Sequence, residues 1–202
     1  MRLAALTWPY PLPVRLGWAT AGVNNPAPGV ARGRAFLFRG QGVVFSRGLG
    51  VLCGRMRRAG WWAEDLLCAG DGWACRALLA DPPSIPIVFI GHSCGGRAAL
   101  RAAGRLAAAG LGVDLVVCLD TAFPPPVPAN VRRAVHLYRG GRRVYPARPL
   151  RPGAGSAARV ENIDVTAADS PVAGRGLHHL NFTDRPAVQE FVVQRVREAA
   201  GW

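Results

Sequence analysis

Ile87-Val88-Phe89-Ile90-Gly91-His92-Ser93-Cys94-Gly95 is the stretch that decides the fold. Ile87–Ile90 is a short apolar run without polar alternation, the pattern of a strand buried on both faces. It stops at Gly91, and an Ala-rich segment from about Gly95 to Ala109 follows as a helix. A serine between two glycines at a strand-to-helix junction marks a sharp turn that lifts the hydroxyl above the carboxyl edge of a sheet. The amide of Cys94, opening the helix, is placed to donate to a negative oxygen. The plainer alternative is a strand-to-helix turn with no chemistry.

Upstream, Ala35-Phe36-Leu37-Phe38 reads as another buried strand, and Arg39-Gly40-Gln41-Gly42 as the loop after it. Ser46 is expected to cap a helix whose inner face carries Leu49, Leu52, Cys53 and Met56. Residues 60–80 show no single period; a strand and then a short helix around Trp73–Leu79 is the expectation. Downstream, Leu115–Leu119 is a buried strand ending at Asp120, followed by a loop with Pro124, Pro125, Pro126 and Pro128. Ala134–Tyr138 and Arg159–Val165 read as further strands. A last helix over Pro186–Ala199 lines up Val188, Phe191, Val192 and Val196, with Thr183 or Asp184 as its cap and Pro186 in its first turn.

Unbroken apolar strands alternating with helices require a sheet covered on both faces. The expected fold class is α/β: a three-layer α/β/α sandwich around a mostly parallel sheet, spanning residues 34–202, with no cap domain. Residues 1–33 form a Pro/Gly-rich arm. Its start, Arg2 then Leu3-Ala4-Ala5-Leu6, is signal-like, but three early prolines and Arg15 interrupt it. The cytoplasm is the expected location, with export as the alternative.

The chain has 202 residues, one domain's length, enough to bury a core without disulfides or a metal. Half of the residues are hydrophobic and 18% are charged, which excludes wholesale disorder and a coiled coil. No apolar run is long enough for a transmembrane helix. The net charge of +13 comes from 25 basic residues, all of them Arg. Total exclusion of Lys points to the coding bias of a GC-rich bacterial genome rather than to a nucleic-acid surface. Arg97, Arg101 and Arg105 form an i, i+4 ladder, but no stacking aromatics are interleaved, so it reads as a solvated helix face. No nucleic-acid partner is expected; a weak attraction to anionic surfaces remains. The five cysteines (53, 68, 75, 94 and 118) lack metal-ligand spacing, and their odd number fits free thiols.

A serine hydroxyl is a weak nucleophile; it needs a base, and the base needs an orienting acid. On an elbow of this kind the chain order is serine, acid, histidine. His136 lies within a strand and reads as packed. His178 and His179 precede the last helix, where a base can reach Ser93, and His179 is favoured. His92, directed away from the serine, reads as packing or support. Asp120 ends its strand at the sheet edge that carries Ser93 and is the favoured acid. Asp169 stays open as an alternative, Asp164 lies within a strand, and Asp114 starts its strand at the opposite edge. The second oxyanion donor is expected from the loop after the first strand: the amide of Gln41, with Gly40 next. No phosphate-cradling glycine motif is present.

From Phe36 to the C-terminus the chain resembles the α/β-hydrolase superfamily, and more closely its small bacterial lipase- and thioesterase-like members. The likeness rests on Phe36-Leu37-Phe38-Arg39-Gly40, Gly91-His92-Ser93-Cys94-Gly95-Gly96, Val113–Asp120, Val127–Ala134 and His179-Leu180-Asn181. It implies that Ser93 is the nucleophile, Asp120 the acid and His179 the base. Gly91, His92 and Gly95 would frame the elbow, and the amides of Cys94, Gln41 and Gly40 would surround the oxyanion. The implied function is a serine hydrolase that cleaves a small carboxylic ester or thioester through an acyl-enzyme, without metal or organic cofactor. Two features depart from the common pattern. The acid sits one strand early, as in the thioesterase arrangement, and Cys94 stands where Met or Leu is more familiar. The alternatives are a non-catalytic binding module of the same fold and, further off, an Arg-rich nucleic-acid binder. The Pro-rich loop after Asp120 is expected to be a rigid rim rather than a lid, with Phe123 and Val127 making it apolar.

Overall fold

The computed structural model describes residues 24–27, 29–41, 43–141, 147–172 and 176–201. Its sheet contains β1 (Arg34–Arg39), β2 (Trp62–Leu67), β3 (Ile87–His92), β4 (Val113–Leu119), β5 (Val131–Tyr138) and β6 (Arg159–Asp164). The order is β2-β1-β3-β4-β5-β6, and every neighbouring pair is parallel. Helices α1 (Gly48–Arg58), α2 (Asp71–Ala80), α3 (Cys94–Ala107) and α4 (Pro186–Ala199) cover it.

Alternation along the strands explains why there are two core layers. Leu37, Ile90 and Val117 face one side, where α1 lays Leu49, Leu52 and Met56 beside Val188, Val192 and Val196 of α4. Phe36, Phe89 and Val116 face the other, under Leu78 of α2 and Ala99, Ala102, Ala103 and Leu106 of α3. Both central strands are therefore apolar without a break.

The chain leaves β1 for β2 on one side and returns to β3 on the other. Connections that depart in opposite directions open a crevice at the carboxyl ends of β1 and β3, where such sheets bind ligands. The loop after Arg39 and the turn at Ser93 both enter that crevice. Two glycines make the turn possible. A Cβ at Gly95 would lie 1.9 Å from the Phe38 carbonyl oxygen, and one at Gly91 would lie 2.2 Å from that of Gly95.

Several local expectations change. Ser46 does not cap α1; it closes a 3-10 turn at Val43–Ser46, and the α1 N-cap, Arg47, makes no side-chain cap bond. Thr183 and Asp184 do not cap α4 either. They belong to a 3-10 turn at His179–Asp184, and Arg185 stands at the N-cap. The stretch at 60–80 contains β2 and then α2, a strand followed by a short helix as expected, with the helix starting at Asp71. In β2, Glu64 and Asp65 are buried in mid-strand, which hides its strand character in the sequence. Arg57 approaches Glu64 at 3.8 Å, and Arg39 Nε donates to both carboxylate oxygens of Asp65 at 2.9 and 3.0 Å. Buried charge is tolerable only when paired in this way. Arg101 and Arg105 of the helical ladder both reach Asp71, at 3.3 and 3.1 Å, so the ladder ties α3 to α2.

At the described end of the arm, Asn25 accepts from the Ala63 amide at 2.7 Å and donates to Glu64 at 3.2 Å, lining the outer edge of β2. The signal-like start of the arm lies outside the described residues. Among those residues, no helix is long and apolar enough to cross a membrane.

The tight β3–α3 packing gives a direct test. Gly95→Ala drives a methyl into backbone and should cost about 2–3 kcal/mol in urea denaturation. Gly104→Ala, in the same helix with only Pro128 Cγ at 3.7 Å, should instead gain about 0.5–1 kcal/mol. Equal effects at the two sites would contradict this packing.

Candidate active site

Ser93 follows β3 with φ 57° and ψ −124°, a conformation that costs a non-glycine residue about 1–3 kcal/mol. The turn is held because its amide donates to the Leu119 carbonyl at 2.9 Å, which extends the β3–β4 ladder by one step. His92 pairs with Leu119 in register, so Ser93 and Asp120 are the next residues on two adjacent strands. Asp120 is itself left-handed, with φ 44°. Among the described residues, Ser93, Asp120 and Phe123 are the only non-glycine residues with positive φ. Backbone strain is thus gathered at one edge of the sheet.

The Asp120 side chain is fully buried, and among the described residues it accepts hydrogen bonds on both oxygens. Oδ1 takes the Arg139 amide at 3.2 Å, and Oδ2 takes His179 Nδ1–H at 2.7 Å. A carboxylate can only accept, so His179 carries its proton on Nδ1 and, when neutral, keeps a lone pair on Nε2. His179 is partly buried, whereas the neighbouring His178 is exposed and its amide is bound by Asn181 Oδ1 at 2.8 Å. Asp120 and His179 are therefore brought together at the edge that carries Ser93. Ser93 Oγ forms no hydrogen bond with the His179 ring among the described residues; in unliganded sites such contacts are commonly long and tighten around substrate.

The other carboxylates lie elsewhere. Asp114 accepts the Ile87 amide at 2.9 Å, at the amino end of the sheet. Asp164, ending β6, accepts from the Gly140 and Thr166 amides at 3.0 and 2.9 Å, and Asp169 is exposed. His136 is buried in β5, and its Nε2 accepts the Thr121 amide at 3.1 Å. Burial pushes its pKa down to about 4, so it packs as a neutral ring.

The loop after β1 passes directly over the serine. A Cβ at Gly40 would stand 3.0 Å from Ser93 Cβ and 3.3 Å from the His92 carbonyl oxygen, so glycine is what fits there. The Gly40 amide donates to Ser46 Oγ at 3.0 Å, and the Gln41 amide donates to Cys94 Sγ at 3.1 Å. Cys94 is the first residue of α3, where the amide has no acceptor within the helix. A reacting oxygen that takes the Gln41 amide must displace the Cys94 sulfur from it.

His92 is 1% exposed and Ser46 is 0% exposed. They lie 2.8 Å apart, Nδ1 to Oγ, and His92 Nε2 donates to the His179 carbonyl at 3.1 Å. The two imidazoles lie with centroids 4.8 Å apart. Burial first, then the neighbouring His179, pushes the His92 pKa down to about 4. The sequence singled out His92 as support but missed Ser46. A serine just ahead of a helix gives the signal of a cap, whereas the Ser46 hydroxyl bonds Gly40, 6 positions away, and His92, 46 positions away.

Of the two residues expected on the rim, Phe123 is half-exposed and lines a surface cavity of ≈ 500 Å³ with Pro124, Pro126 and Arg148. Val127 is fully buried in the α3-side core, so it packs rather than lines. Among the described residues no group of three or more His, Cys, Asp and Glu is arranged to hold a metal ion.

Solved structures resemble this fold as a whole. The type II thioesterase YbtT of the yersiniabactin NRPS/PKS pathway superposes with a TM-score of 0.55 at 12% identity, covering 87% of this chain and 97% of that one. The thioesterase domain SrfTE, which cyclises the lipopeptide surfactin, gives 0.52 at 10% identity over 82% and 91% of the two chains. The chain has the α/β-hydrolase fold. A cutinase-like protein from Cryptococcus sp. gives 0.50 at 15% identity over 86% and 97%. No family model and no curated protein sequence matches the chain.

Cys94 provides a pH-dependent readout of this geometry. The Cys68 thiol beside its sulfur, and the Gln41 amide, lower its pKa to about 6. Burial pushes the Cys53 and Cys118 thiols up to about 12 and that of Cys75 to about 11. Alkylation by iodoacetamide, mapped by peptide mass spectrometry, should modify Cys94 first, at least about tenfold faster than those three. Its rate should rise through about pH 6 and level off above it. First labelling at Cys53, Cys75 or Cys118 would contradict the arrangement.

Proposed function

We propose that the protein is a serine hydrolase that cleaves a small carboxylic ester or thioester through an acyl-enzyme on Ser93. The observation that carries this reading is the His179–Asp120 hydrogen bond at the strand edge beside the strained serine. Asp120 fixes the imidazole with Nδ1 protonated, which leaves Nε2 to take the Ser93 proton as the hydroxyl attacks the carbonyl. The negative oxygen that forms is received by the Cys94 amide at the α3 N-terminus and by the Gln41 amide. The Gly40 amide, already committed to Ser46, acts by holding the loop rather than by donating to the oxyanion. His179 then returns the proton to the leaving alkoxide or thiolate, and water repeats the sequence on the acyl-enzyme.

The resemblance to thioesterase and cutinase-like folds supports ester or thioester bonds as the target class. Between Asp120 and His179 the described chain forms β5, β6 and connecting loops, with no inserted helical layer. The half-exposed Phe123 beside a stiff run of prolines suits short and medium acyl groups. Activity should therefore follow simple saturation on soluble esters. A jump when substrate passes its solubility limit would instead reveal a mobile cover.

Site variants assayed on a chain-length panel of esters and thioesters test the roles directly. Ser93→Ala should stay folded and lose about 10³–10⁶ in kcat. Asp120→Asn should lose about 10⁴, because the amide presents a donor where the tautomer needs an acceptor. His179→Ala should abolish turnover, whereas His178→Ala should be mild. More than a tenth of wild-type activity in Ser93→Ala would overturn the assignment, and the reverse order at the two histidines would move the base by one residue.

A further inference from the structure

We infer that the buried Ser46–His92 pair positions the two halves of the reactive centre, tying the oxyanion loop to the backbone of the base. The inference rests on the hydrolase reading above and adds a function for two residues outside its triad. The connection runs Gly40 N–H to Ser46 Oγ at 3.0 Å, Ser46 to His92 Nδ1 at 2.8 Å, and His92 Nε2 to the His179 carbonyl at 3.1 Å.

Chemistry fixes every direction in this chain. The His179 carbonyl can only accept, so His92 Nε2 carries a hydrogen. A neutral imidazole has one N–H, so Nδ1 accepts, and the Ser46 hydroxyl must donate to it. The Ser46 oxygen then accepts from Gly40. No donor faces a donor, and no acceptor faces an acceptor. The ionisable groups that act on His92 are His179 and Asp120. A doubly protonated His92 would turn Nδ1 into a donor, reversing its bond to Ser46 and leaving the Ser46 hydroxyl hydrogen without this acceptor.

Below this pair the two segments meet by packing and through Gln189, whose Nε2 donates to the Gly48 and Thr183 carbonyls at 3.5 and 3.0 Å, but neither contact reaches Gly40 or the His179 backbone. The loop at Gly40 leaves β1, and His179 opens the turn before α4. They share no strand pairing; the 3-10 turns Val43–Ser46 and His179–Asp184 pack against each other, and a Cβ at Gly48 would lie 2.1 Å from the Thr183 carbonyl oxygen. Asp120 holds the His179 ring at Nδ1, but it does not hold the His179 backbone. His92 does, and it is also the residue directly before Ser93. One buried ring therefore relates the serine, the base and the loop whose next amide is that of Gln41. Oxyanion donors and base must be fixed within fractions of an ångström, because small misplacements are expensive in rate.

The role differs from simple core packing in what it changes. Ser46→Ala strands the Gly40 amide and His92 Nδ1; His92→Gln keeps a donor for His179 but carries its acceptor oxygen one bond farther from the backbone than Nδ1, out of line with Ser46. Each should lower kcat by about 10- to 100-fold on p-nitrophenyl butyrate, with KM within about threefold. Leu106→Ala, a buried truncation in the last turn of α3, supplies a control when each variant is assayed equally far below its own Tm. The control should keep kcat within about twofold of wild type, because its loss is one of packing alone.

In the wild-type protein, histidine ¹⁵N NMR should find His92 neutral at pH 7 and protonated on Nε2. That measurement decides the matter even if Ser46→Ala does not fold. Proton occupancy on Nδ1, or kcat losses in Ser46→Ala and His92→Gln no larger than in Leu106→Ala, would overturn the positioning role while leaving an active hydrolase. A wild-type protein that turns over neither esters nor thioesters would instead remove the hydrolase reading, and this role with it.

Discussion

The structure depends on one close packing: the turn of β3 into α3 pressed against the end of β1. Gly95 meets the Phe38 carbonyl where no side chain fits, and Gly91 meets Gly95 in the same way. That contact lets α3 start immediately after the strand, and it forces Ser93 into its left-handed conformation. The same proximity brings Gly40 over Ser93. The strained turn at Ser93 and the loop above it are thus two consequences of one steric constraint.

The strain this creates is held by the ordinary parts of the fold. Two apolar layers clamp the central strands from both sides, and the Ser93 amide is drawn into the β3–β4 ladder through Leu119. Asp120, one step along the neighbouring strand, shares the unusual backbone and points its carboxylate at His179. A rigid sheet edge carries the polar groups, and short 3-10 turns bring the remaining ones to it. The buried Arg39–Asp65 pair, at the carboxyl end of β1 and in β2, brings charge in compensated form.

Much of this was legible in the sequence because it follows from local rules. An apolar strand ending at Gly91, a helix opening after Ser93 and a strand ending at Asp120 fix the sheet edge. The placement of two histidines just before the last helix confines the candidate base to adjacent positions. What the sequence concealed was tertiary. β2 places Glu64 and Asp65 in mid-strand, and partners from elsewhere in the chain, Arg57 of α1 and Asn25 for Glu64 and Arg39 of β1 for Asp65, make that burial tolerable. Ser46 is a capping residue type just ahead of a helix, yet its hydroxyl goes to Gly40 and His92. Val127 and Phe123 look alike in a Pro-rich loop, but a bridge to Pro152 turns Val127 inward while a positive φ leaves Phe123 half-exposed.

The central claim is that Ser93 is a nucleophile activated by its surroundings rather than a serine in a tight turn. Reaction with a fluorophosphonate, followed by intact-mass and peptide mapping, tests it most directly. The account predicts one adduct per chain, located on Ser93, lost in Ser93→Ala and strongly slowed in His179→Ala. An unreactive protein, or an adduct on Cys94 or any other residue with Ser93 unmodified, would contradict it.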